Sequence, residues 1–248
     1  MPHCFLRYRK FLVWMLVGLL ALTGPACAQL TEFGRPGAAE PAPTPDPHPH
    51  FRAILQPDAR NDIEAAGPLP RYHVTAQLSD DPSVLNGVVQ VVVPQPGPEL
   101  VFRLYPNLQN YGGAIDVTRA RINGIKFPAA LRANNTAVAL AIPPELTAAP
   151  PLTATLNFTT RLPNSTGAPY TLFGWSGDVL SLPGFFPTLA VRENGGWVLD
   201  EPPPHGDVLF NEVALYQLDL TLPPELVVAS GGAVLNSIDN PNGSRTWQ

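Results

Sequence analysis

The folded part of this chain announces itself through alternation. From Arg71 the residues Tyr72, Val74, Ala76 and Leu78 fall on one side of an extended backbone, the period-2 pattern of a half-buried strand. Val84 to Val93 predicts a second strand, with Gly87 expected at a bulge or turn. Leu100, Phe102 and Leu104 mark the inward side of a third, and Ile115 to Ile122 predicts a fourth. Asn123-Gly124 supplies two residues that accept positive φ, so a type I′ turn should fold Ile125 to Phe127 back on that strand. Alternation returns at Val138, Leu140 and Ile142, then at Ala154, Leu156 and Phe158, and finally from Ala214 through Tyr216, Leu218 and Leu220 to Leu222. Short strands punctuated by Pro and Asn predict an all-β fold, a sandwich or a large curved sheet, of which a curved antiparallel β-sandwich is the expectation adopted.

Composition sharpens this picture. The chain has 248 residues and 31 prolines, while Lys10 and Lys126 are its two lysines, a balance that disfavours long helices. Arg7, Arg9 and Lys10 precede an apolar run of 13 residues, Phe11 to Thr23, followed by the small-x-small site Ala26-Cys27-Ala28. The run is shorter than the roughly 20 residues that cross a bilayer, so residues 1–28 are expected to be a signal peptide and the protein exported, extracellular or in the cell envelope. Membrane attachment would follow only from lipidation of Cys27. Both cysteines, Cys4 and Cys27, lie in the leader, so a cleaved domain holds no disulfide and no thiolate site.

Residues 29–70 are expected to be a spacer and lead-in. Between Arg35 and His50 proline comes to occupy nearly every second position, which favours a semi-rigid polyproline-like segment, and Phe51 to Ile63 suits a short helical or irregular approach. The β domain proper spans 71–232. Residues 233–248 look like the opening of a continuation: Val234 and Leu235 start a strand, Asn242-Gly243 signals a turn, and Arg245 to Gln248 begins a returning arm. The net charge of −5 becomes −8 once the leader's three basic residues are removed, which leaves no electrostatic footprint for nucleic acid.

Several segments occur together in an order that resembles the N-terminal domain of the membrane alanyl aminopeptidase family of zinc metallopeptidases, in its diverged bacterial exported branch. They are Arg71-Tyr72-His73-Val74, Leu85-Asn86-Gly87, the most specific stretch Leu100 to Asn107, Phe185 to Val191, Gly196-Trp197, and Glu212 to Leu222 followed by Val227-Val228-Ala229-Ser230-Gly231. The resemblance implies a non-catalytic domain whose partner is a catalytic metallopeptidase domain bearing HExxH, a downstream glutamate and zinc, acting on peptide substrates. It also implies a substrate-cleft rim, to which Trp175, Asp178 and Glu201 are assigned. Some members hold the substrate's amine with Gln or Glu, where this chain reads Leu180-Ser181-Leu182-Pro183. The alternative from another class is a free-standing envelope binding or adhesion module.

The chain's own residues predict no catalytic or metal site. HExxH is absent, and outside the leader only His48, His50, His73 and His205 occur. Gly174-Trp175-Ser176-Gly177 lacks the second glycine of a nucleophile elbow and reads as a turn. Glu193, Asp200, Glu201 and Asp207 lie close in sequence but read as solvated loop charge, and Trp175, Phe185, Phe186 and Trp197 as packing aromatics.

Overall fold

Strands form where the sequence alternates, because such a stretch can bury one side and hydrate the other. The computed structural model describes residues 49–165, 172–202 and 208–248. The expected signal peptide and nearly all of the proline-rich stretch lie outside the described residues, as do His48, His205 and Asp207. Two short helices, Pro49–Ile54 and Asp62–Ala65, make up the lead-in.

The strands are β1 (Arg71–Leu78), β2 (Val84–Val93), β3 (Glu99–Arg103), β4 (Ala114–Ile122), β5 (Ile125–Phe127), β6 (Ala130–Arg132), β7 (Ala137–Ala141) and β8 (Leu152–Arg161). They continue with β9 (Gly174–Ser176), β10 (Val179–Ser181), β11 (Thr188–Leu189), β12 (Arg192–Glu193), β13 (Gly196–Trp197), β14 (Leu215–Leu222), β15 (Ser237–Asp239) and β16 (Arg245–Trp247). An eight-stranded sheet runs β15-β16-β14-β1-β2-β8-β4-β5, and a four-stranded sheet runs β11-β3-β7-β6. β9 with β10 and β12 with β13 form two small hairpins. The fold is an all-β sandwich.

The core lies between the two sheets. Val74, Leu85, Val89, Leu156 and Phe158 from the large sheet meet Leu100, Phe102, Leu104, Val138 and Leu140 from the small one. Each such fully buried side chain contributes roughly 1.5–3 kcal/mol relative to exposure. The opposite side of the small sheet carries a second, smaller cluster of Val101, Ala137, Ala139 and Ala190, against which Trp197 and Leu199 pack. That second layer explains why β3 and β7 are buried almost throughout and read as apolar runs.

Asn123 and Gly124 take φ of 48° and 81°, and Ile122 pairs with Ile125, as the type I′ turn requires. Three expectations need correction. Gly87 is no bulge: it sits in regular register opposite Phe158, and a Cβ there would lie 2.4 Å from the Phe158 ring. Glycine is required because the ring lies over its backbone. The bulge falls instead in β4, between Val117 and Arg119. β1 and β14 pair in parallel, Tyr72 opposite Tyr216, so the large sheet is mixed. With 136 residues between Leu78 and Leu215, a hairpin has no hold on their direction.

The third correction concerns the C-terminal hairpin. Val234 and Leu235 are exposed coil, and β15 begins at Ser237. The turn spans Asn240 to Gly243, with the Gly243 N–H donating to the Asn240 carbonyl and only Gly243, at φ 86°, left-handed. β16 bonds β15 on one side and β14 on the other.

Candidate functional site

The segment Leu100 to Asn107, singled out in the sequence, is the hub of the sandwich. β3 contributes Leu100 and Phe102 to the core, and two successive 3₁₀ turns, Tyr105–Asn107 with Pro106 in its first turn and Gln109–Tyr111, redirect the chain toward β4. Asn107 is the lock. Its Nδ2 donates to the Ile115 carbonyl at 3.0 Å and the Asn135 carbonyl at 2.7 Å, while its Oδ1 accepts from the Ile115 N–H at 2.7 Å. One amide thus joins the turn, β4 of the large sheet and the β6–β7 loop of the small one.

Tyr105 pins the opposite flank. Its ring is buried, and its hydroxyl accepts from the Phe210 N–H at 3.0 Å and lies 2.9 Å from the Phe210 carbonyl and 3.1 Å from Asn211 Oδ1. Burial pushes the Tyr105 phenol above its ordinary range. The pinned stretch exposes Phe210, Val213 and Tyr216. Arg103 is only 4% exposed, stacks over Tyr105 with its guanidinium carbon 5.4 Å from the ring centre, and donates from Nη2 to the Asp200 carbonyl at 3.3 Å. Burial lowers its pKa, offset by Tyr105, Asp200 and Glu201.

Of the three residues assigned to a substrate-cleft rim, Trp175 and Asp178 belong to the β9–β10 hairpin and Glu201 to the segment after β13. Trp175 lies in β9, packs on the core, and donates from Nε1 to the Pro82 carbonyl at 2.6 Å. Asp178 sits beside Gly177 at the exposed tip of the β9–β10 hairpin. Glu201 is exposed on the strap after β13, next to the Asp200 carbonyl that caps Arg103. No hydrogen bond or ion pair among the described residues links Glu201 to Trp175 or Asp178. Phe185 and Phe186 meet edge-on at 5.0 Å and join Tyr72 and Tyr216, which stack at 4.6 Å, so these aromatics are packing groups.

His73 lies in β1, on the side opposite the buried Tyr72 and Val74. Its Nε2 lies 2.8 Å from Asp219 Oδ2 across the parallel β1–β14 pair, and Gln248 Nε2 donates to Asp219 Oδ1 at 3.3 Å. Nothing local in the sequence couples residues 146 apart. Among the described residues no three His, Cys, Asp or Glu side chains gather as a metal ion requires.

A cleft of about 480 Å³ opens beside the lock, lined by Asn107, Ile115, Asp116, Leu131, Asn134 and Asn135. Its lip is strained: Ala133, Asn134 and Asn135 are consecutively left-handed at φ 46°, 54° and 68°. Asparagine tolerates that region and alanine does not favour it. The Thr136 N–H and hydroxyl both donate to the Ala133 carbonyl, at 3.0 and 2.7 Å, and close the turn.

No protein-family model matches the chain, and no curated protein matches it. Among solved structures it is similar to the M1 zinc metallopeptidase from Deinococcus radiodurans, with a TM-score of 0.43 and 20% identity over 72% of this chain and 37% of that one. It is similar to Legionella pneumophila aminopeptidase A in complex with aspartic acid, with a TM-score of 0.39 and 16% identity over 72% of this chain and 19% of that one. Native yeast LTA4 hydrolase gives a TM-score of 0.37 and 14% identity over 72% of this chain and 26% of that one. The chain therefore spans well under half the length of the structures it is similar to.

Proposed function

We infer that this chain is the non-catalytic N-terminal β domain of an exported zinc metallopeptidase of aminopeptidase type, with hydrolysis carried out by a catalytic domain outside these 248 residues. The observation that carries the reading is the role of Leu100 to Asn107. The stretch most specific to the family resemblance is also the one on which the fold depends, through Asn107 between the sheets and Tyr105 on the flank. Tyr105 holds in place a segment whose Phe210 and Val213 are 52% and 73% exposed. Apolar side chains held out by a buried hydroxyl suit a surface that another domain covers.

The chain's part in peptide hydrolysis is then positional. It presents a rigid wall to a catalytic domain, where zinc would activate water and a glutamate would take its proton.

The test is turnover. The purified 248-residue chain is incubated with alanyl- and arginyl-p-nitroanilide, with and without added zinc. Release of nitroaniline no faster than buffer is expected. Zinc-dependent release that a chelator abolishes and that persists through purification would overturn the reading.

A further inference from the structure

The face of the eight-stranded sheet turned away from the core is largely polar, with Val88 and Val92 of β2 among its polar neighbours, and carries a block of cations at one end. Alternation along β4 and β8 puts Arg119, Arg121, Thr155 and Asn157 on this face, opposite Ala120, Ile122, Leu156 and Phe158, which are buried. Register then aligns the side chains into rows. One row crosses six strands: Lys126, Arg121, Thr155, Gln90, His73 and Gln217. At about 4.8 Å between strands it extends roughly 24 Å. The next row starts with Arg119 and Asn157.

The two carboxylates on this face are engaged. Asp116 pairs with Arg161 at 2.9 Å and Asp219 with His73 at 2.8 Å. Arg119, Arg121 and Lys126 have no carboxylate partner among the described residues. Arg121 and Lys126 stand directly opposite each other across an antiparallel pair. Like charges in that position destabilise a hairpin, and no anion offsets them, in a chain whose net charge is −5. A local rule broken without structural compensation marks a place that a ligand would relieve.

We propose that this face binds an anionic polysaccharide, whose sulfate, phosphate or carboxylate groups sit on Arg119, Arg121 and Lys126 while its hydroxyls run along the row of Thr155 and Gln90. The cations alone would accept any polyanion. The adjoining hydroxyls and amides offer both donors and acceptors at sheet spacing, which matches a sugar chain better than a lipid surface, toward which this polar face holds out no aromatic wedge. The site is distinct from the Tyr105 flank and does not depend on the metallopeptidase reading.

The test uses the full chain and dextran sulfate against uncharged dextran of equal length, by calorimetry at two salt concentrations. Dextran sulfate is expected to bind with salt-sensitive affinity and uncharged dextran to bind much more weakly. Replacing the three cations together (Arg119→Gln, Arg121→Gln, Lys126→Gln) is expected to raise the Kd by about tenfold or more. The melting temperature should not fall, since a repulsive pair is removed. The row variant Thr155→Val with Gln90→Ala is expected to weaken dextran sulfate several-fold and leave inorganic polyphosphate binding unchanged. Unaltered binding by either variant would overturn the proposal, as would binding of phosphatidylglycerol vesicles or duplex DNA as tight as that of dextran sulfate. Lys126→Gln alone, exposed on its short strand, serves as the cation test if the triple variant does not fold.

Discussion

Replacing Asn107 probes the claim that one side chain joins the two sheets. Asn107→Ala removes three hydrogen bonds to backbone groups, two to Ile115 and one to Asn135. At about 1 kcal/mol each the sum is about 3 kcal/mol, and partial access of water to the half-buried site brings the expectation to about 2–3 kcal/mol. For a β domain of this size that lowers the melting temperature by roughly 4–10 °C. Asn107→Asp is the sharper variant. Its carboxylate keeps the bond from the Ile115 N–H but turns an oxygen toward two carbonyls that had received Nδ2. The charged form is therefore disfavoured in the folded state, and stability is gained as pH falls through the carboxyl's raised range. Thermal melts of both variants from pH 7 to pH 4 should show Asp below Ala at neutrality, with the gap closing on acidification. A loss below about 1 kcal/mol for Ala, or a gap that does not change with pH, would refute the lock.

Gly87→Ala drives a Cβ into the Phe158 ring and the Thr75 carbonyl, so a loss of about 1–3 kcal/mol is expected in urea unfolding. Arg121→Thr relieves the repulsion with Lys126 and is expected to raise stability by about 0.2–1 kcal/mol by the same measurement. Burial raises the phenol pKa of Tyr72, with Tyr216 adding to it, and burial raises that of Tyr105. Groups whose folded pKa is raised lend stability below the unfolded value, about 10, and lose it as pH climbs beyond. Alkaline titration followed by phenolate absorbance should therefore show these tyrosines ionising together with unfolding, after the exposed ones.

The strands of the large sheet were legible where they show one side to the core and one to water. Tyr72 to Leu78 and Ala154 to Phe158 alternate without a break, and both form strands with that side buried. Gly87 misled because a glycine in a strand has two readings, a bulge or a close neighbour, and only the distant Phe158 decides between them. The parallel contact of β1 with β14 and the His73–Asp219 pair left no local trace, since both depend on which edge of the sheet a far segment reaches. What buries Arg103, the second layer over the small sheet, comes from segments distant in sequence. The cationic row escaped for the same reason. Arg121 and Lys126 are near in sequence, but their side chains share a face with Thr155 and Gln90 only through register.

Whether this chain serves a catalytic metallopeptidase domain can be read from the coding DNA downstream of the Gln248 codon. An open frame encoding HExxH and a later glutamate is the predicted result. A frame that continues without either, or a stop codon in the native gene at that position, would contradict the claim.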